Sequence, residues 1–110
     1  MDFQMDHSFD EQQNRWNIIL TGEIDIFNSL ELKTRLTKLV EEKPADVFLQ
    51  CKFLEYIDST GLGALVGVLK NVKGSGFTIH MQDVKPNIQK LFKITNLDNE
   101  FILEEGDGNG

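Results

Sequence analysis

The chain has 110 residues and a formal charge of −7, with 40% hydrophobic residues. One domain of this size buries roughly two thirds of its unfolded surface, so it folds without staples. The acidic balance excludes unaided binding to a phosphate backbone, which needs cationic side chains. No run approaches the roughly 18 apolar residues of a membrane helix. The start, Met1-Asp2-Phe3-Gln4-Met5-Asp6, lacks the basic residues of a secretory signal. Cys51 is the only cysteine, which excludes an internal disulfide and a cysteine zinc site and fits a reducing cytosol. His7 and His80 are the only histidines and have no metal-ligand spacing.

In chain order, Phe3 to Phe9 reads as a strand with Phe3 and Met5 alternating, and Glu11-Gln12-Gln13-Asn14 as a turn. Trp16 to Leu20 reads as a second strand that Thr21-Gly22 closes, so the first two strands form a hairpin. Asn28 offers a helix N-cap, with Glu31 three residues on as in a capping box. Leu32, Leu36, Leu39 and Val40 then give one buried face to a helix over 29–42, and Pro44 stops it. Val47 to Cys51 is a short buried strand. Trp16 and Cys51 are assigned to the core, with the thiol inert.

The segment Tyr56-Ile57-Asp58-Ser59-Thr60-Gly61-Leu62-Gly63 opens a second helix, with Leu62, Leu65, Val66, Leu69 and Val72 on its core side. Gly63 and Gly67 share a face, and each costs up to about 1 kcal/mol against Ala in a helix interior. Close packing is the simple reason to accept that cost. Gly74-Ser75-Gly76 is a turn, and Phe77 to Met81 alternates as a strand. Pro86 suits a first helical turn, followed by Ile88, Leu91, Phe92 and Thr95 at helical spacing. Phe101 to Leu103 is a last strand, and residues 104–110 read as a disordered acidic, glycine-rich tail after a domain spanning 1–103. The order β-β-α-β-α-β-α-β predicts an α/β fold with right-handed crossovers and a mixed, mainly parallel sheet.

The glycines around Ser59 do not make a nucleotide site. A dinucleotide fingerprint needs a third glycine at position 66, which is Val, and no phosphate-binding G-x-x-x-x-G-K-[ST] occurs. A nucleophile elbow around Ser59 needs glycine at position 57, which is Ile. Asp58, Ser59 and Thr60 are all N-cap types at a helix start, and capping alone accounts for them. A hydroxyl there is also well placed to carry a phosphate, because the exposed N–H groups and the dipole favour negative charge.

The stretch Tyr56-Ile57-Asp58-Ser59-Thr60-Gly61-Leu62-Gly63 resembles the signature of the bacterial anti-sigma factor antagonists. These are single-domain members of the sulfate-transporter and anti-sigma-antagonist (STAS) fold. The likeness continues in Gly22-Glu23-Ile24-Asp25 and in Leu91-Phe92-Lys93-Ile94-Thr95-Asn96-Leu97, and Thr after the Ser is most similar to the general stress-response (sigma-B type) antagonists. The resemblance implies a cytoplasmic regulator of transcription and not an enzyme, with no cofactor and no metal. Its bare form binds an anti-sigma factor that is also a serine kinase, and the sigma factor is released. Phosphorylation on Ser59 blocks binding, and a PP2C-type phosphatase reverses it. The resemblance makes Ser59 the acceptor, with Thr60 a secondary one. It places Asp25, Asp58, Ser59, Thr60, Gly61 and Gly63 at the partner surface. Asp25 has a simple alternative as a loop acid at the first helix, and Gly61 and Gly63 have one in close packing. A scaffold or lipid-transport STAS module without phosphorylation is the alternative function. Two departures stand out. Asn96 replaces a glycine at a left-handed cap, and Ile26-Phe27 follows Asp25 where small or polar residues are commoner.

The charge is unevenly placed. Residues 1–11 and 98–110 carry nine acids and no bases, so residues 12–97 are close to neutral at +2.

Overall fold

The computed structural model describes residues 2–105. The strands are β1 (Phe3–Asp10), β2 (Arg15–Ile24), β3 (Asp46–Ile57), β4 (Ile79–Gln82) and β5 (Ile102–Glu104). The helices are α1 (Ser29–Glu42), α2 (Ser59–Gly74) and α3 (Pro86–Ile94), with a 3₁₀ turn at Leu97–Asn99. The sheet order is β1-β2-β3-β4-β5. β1 pairs antiparallel with β2, and every later pair is parallel. This is the predicted α/β order. Because the parallel strands follow one another across the sheet, right-handed crossovers place all three helices on one face.

The core lies between that face and the helices. Ile18 and Leu20 of β2, Leu49 and Cys51 of β3, Ile79 and Met81 of β4 point into it. Leu32 and Leu36 of α1, Leu65 and Val68 of α2, and Ile88 and Phe92 of α3 meet them. Trp16 is buried, and its indole N–H donates to the Lys43 carbonyl at 2.9 Å. Cys51 is fully buried, and burial first, then the nearby Asp83 charge, pushes its thiol up to about 12.

Several boundaries differ from expectation, each for a local reason. β2 does not end at Thr21-Gly22 but runs to Ile24. Gly22 takes φ +100° where its missing Cβ would stand 2.4 Å from the Asp2 carbonyl. The Glu23 amide then donates to that same carbonyl, so the ladder continues past the irregularity. β3 starts earlier and runs on from Cys51 to Ile57, because Leu54 and Ile57 stay in the core while Lys52 and Glu55 face solvent. β4 begins at Ile79, and Phe77 packs on the core edge before it. β5 is shifted by one residue and takes in Glu104, whose carboxylate accepts from Gln82 Nε2 at 3.2 Å and meets His80 Nδ1 at 3.3 Å. That residue belongs to the sheet rather than to a loose tail. Residues 106–110 of the expected tail lie outside those described. Asn96 adopts φ +59°, the left-handed conformation expected after α3.

Candidate functional site

β2 and β3 are parallel neighbours in register Ile24 to Ile57, so their carboxyl ends and the segments that follow emerge side by side. One segment is the loop from Asp25 to Asn28, which leads into α1. The other is Asp58, which leads into α2. The Asp58 amide donates to the Ile24 carbonyl at 3.2 Å and joins the two.

Asp58 is the N-cap of α2. Its Oδ1 accepts from the amides of Thr60 and Gly61, both at 3.0 Å, and from the Thr60 hydroxyl at 2.5 Å. These donors hold its carboxyl below the usual aspartate value, the Thr60 hydroxyl most, then the Gly61 amide, with small help from the Thr60 and Ile26 amides against partial desolvation. Asp58 is therefore an ionised cap at neutral pH. Ser59 is exposed, and among the described residues its hydroxyl has no hydrogen-bond partner. Of two adjacent hydroxyls, one is engaged and the other is free.

A prediction follows for Asp58→Ala. Loss of an N-cap costs about 0.5–2 kcal/mol. The native value lies below the unfolded value of about 3.9, so the contribution is full above pH 5 or so. It declines as the pH falls through the native value. Urea titrations of both proteins at pH 7 and pH 3 check this, and the stability gap is expected to shrink at the lower pH.

The two glycines differ. A Cβ on Gly61 would stand 2.7 Å from both Ile24 Cγ2 and Ile57 Cγ1, so this glycine exists for close packing. A Cβ on Gly63 would meet nothing within 4 Å, and the residue is exposed. Close packing is thus corrected at Gly63, which presents bare backbone to solvent. Gly67 instead faces the end of the Lys33 side chain of α1, with Cε 2.9 Å from an added Cβ.

The α1 start also departs from expectation. Asn28 occupies the N-cap position but makes no capping bond to the helix. Its Oδ1 accepts from the Asp25 amide and its Nδ2 donates to the Glu23 carbonyl, both at 2.9 Å. Glu31 pairs with Arg35 at 3.6 Å rather than closing a capping box. Asp25 turns the loop: its carboxylate accepts from the Phe27 amide and its carbonyl from the Ser29 amide, both at 2.9 Å. Asp25 is half-buried beside the Asp58 junction, so the loop-acid role is real and the residue still borders the site. Ile26, Phe27 and Leu30 project from the same surface at 65%, 88% and 73% exposure. Sequence reasoning singled out Phe27 as unusual but missed Leu30, which sits on the polar side of the predicted helix.

The structure separates Ser59 from any histidine base. His80 lies opposite Phe48, and His7 connects through Ile18 to Leu49. Those β3 positions precede Ile57 by eight or nine residues, roughly 25–30 Å of strand.

The STAS domain family model matches residues 10–106. An anti-sigma-B factor antagonist of Bacillus subtilis is 34% identical over 87 residues, covering 79% of each chain. One of Staphylococcus aureus is 30% identical over 95 residues, covering 86% of this chain and 88% of that one. The structure of the anti-sigma factor antagonist SpoIIAA in its unphosphorylated form superposes with a TM-score of 0.75 at 13% identity, covering 96% and 92%. An anti-sigma factor antagonist of Mycobacterium paratuberculosis gives 0.80 at 19% identity, covering 98% and 90%. Five strands in this order, the glycine-bearing start of α2 and a family match over most of its length agree: the chain belongs to the STAS domain family.

Proposed function

We propose that the chain is an anti-sigma factor antagonist of the sigma-B type, switched by phosphorylation on Ser59. The bare form binds an anti-sigma factor that is also a serine kinase and thereby frees the sigma factor. A PP2C-type phosphatase returns the phosphorylated form to the binding state. The partner surface comprises Asp25, Asp58, Ser59, Thr60 and Gly63, with the buried Gly61 packed beneath it, and the setting is the cytoplasm.

The observation that carries this reading is the free, exposed hydroxyl of Ser59 beside a Thr60 hydroxyl held by Asp58. A phosphate there adds about −1.5 to −2 charges next to an ionised Asp58. The amides of Thr60 and Gly61, which could draw a phosphate down onto the helix, are already taken by Asp58. The new charge therefore projects outward, where a partner meets it. Thr60 is the secondary acceptor and must first leave Asp58. Gly63 supports close approach, since its bare backbone lies on the same surface. Gly61 contributes through its amide and its packing, not by contact.

Incubation with the anti-sigma factor kinase of its own organism and Mg-ATP, followed by intact mass, tests the proposal. One phosphate is expected on the wild type and none on Ser59→Ala. Ser59→Ala is expected to bind the kinase constitutively and Ser59→Asp at least 30-fold more weakly. No gain of phosphate, with equal binding of both variants, removes the switch and favours the scaffold or lipid-transport alternative.

A further inference from the structure

Three large apolar side chains within five residues, Ile26, Phe27 and Leu30, stand in solvent at the mouth of the site. Together they offer on the order of 400 Å² of apolar surface. The loop that carries them is held. Asn28 ties the Asp25 amide to the Glu23 carbonyl, and the Asp25 carboxylate holds the Phe27 amide itself. An exposed aromatic on a fixed loop loses little further freedom when it is bound.

The patch meets the surface around Ser59 at two points, the Ile26 amide beside the Asp58 carboxylate and the Leu30 side chain. A shallow groove between the starts of α1 and α2 is lined by Ser29, Leu30, Lys33, Thr60, Gly63 and Ala64. Leu30 is its link to the patch, and Thr60 and Gly63 its link to the phosphate acceptor. The patch area is about half of what one partner contributes to a standard interface of roughly 800 Å² per side. Alone it is too small for a stable dimer of this chain. A partner of that scale also covers the groove and the surface around Ser59.

We infer that Phe27, flanked by Ile26 and Leu30, is the aromatic anchor that inserts into an apolar pocket of the anti-sigma factor kinase. The inference rests on the Ser59 reading above and adds a division of labour. Phe27 sets the affinity and the choice of partner, and the state of Ser59 decides whether contact is allowed. Buried aromatic anchors near the centre of an interface carry a large share of binding, whereas an exposed surface position contributes little to folding.

The test measures kinase binding by titration calorimetry for the wild type, Phe27→Ala, Phe27→Leu and Ser59→Asp. Phe27→Ala is expected to melt with the wild type and to bind 30-fold more weakly or worse. Phe27→Leu is expected to recover part of the loss. Steady-state phosphorylation of Phe27→Ala is expected to show a raised KM with kcat unchanged, the sign of lost uniform binding. Phe27→Ala binding within twofold of wild type while Ser59→Asp fails overturns the anchor and leaves the switch standing. A change of self-association with kinase binding intact also overturns it. If the wild type does not bind the kinase at all, the switch and the anchor fall together.

Discussion

Gly61→Val is expected to lose about 3 kcal/mol of stability, while Gly63→Ala gains up to about 1 kcal/mol. The two positions sit in one glycine motif, two residues apart, and differ only in what surrounds them. A Cβ at Gly61 enters the space of Ile24 Cγ2 and Ile57 Cγ1 at 2.7 Å. Both isoleucines are buried on central strands, and β-branched side chains are stiff at χ1, so neither can swing clear. The helix must move outward instead. At Gly63 the added methyl meets open space and brings only the helix preference of alanine. Thermal melts check the contrast, with a loss of more than 10 °C expected at Gly61 and a small rise at Gly63. Because the Gly61 amide is one of the Asp58 donors, Gly61→Val should also slow phosphorylation of Ser59 in any fraction that folds.

Phe92→Ala is expected to cost 3–5 kcal/mol, a large share of a domain stability of about 5–15 kcal/mol. Phe92 is fully buried under α3 and meets Phe101 edge-on, with ring centroids 5.4 Å apart. No neighbouring element can collapse far enough to fill a phenyl-sized void. Chemical denaturation gives the loss directly. The variant separates folding from function, since α3 follows β4 and the aromatic partner of Phe92 is Phe101, just before β5. Under conditions where it stays folded, it is expected to accept phosphate on Ser59 at the wild-type rate.

Much of the fold was legible because the two periodicities are clean. Leu32, Leu36 and Val40 mark α1, and Ile79 and Met81 mark β4. Irregularities were harder to read. Gly22 looks like a strand end, yet its positive φ lets β2 pass an irregularity and continue. The second half of β3 breaks strict alternation, so Leu54 and Ile57 do not announce a strand. Val68 was missed because α2 is covered by both the sheet and α1, which buries a wider face than one stripe. At the site, residue types placed the cap among Asp58, Ser59 and Thr60, and only the structure gives it to Asp58. They could not say that Asn28 turns backward to the loop, since a cap side chain and a loop staple share one composition. Nor could they separate Gly61 from Gly63, because only the packed isoleucines distinguish them.

The sealed position of Cys51 has a consequence for signalling. With no solvent contact and its thiol held up to about 12, it carries almost no thiolate at neutral pH, and thiolate is what oxidants and electrophiles attack. The folded chain is therefore deaf to peroxide and disulfide stress at its one sulfhydryl. On the proposed reading, news of such stress has to arrive from the proteins that write and erase the mark on its surface.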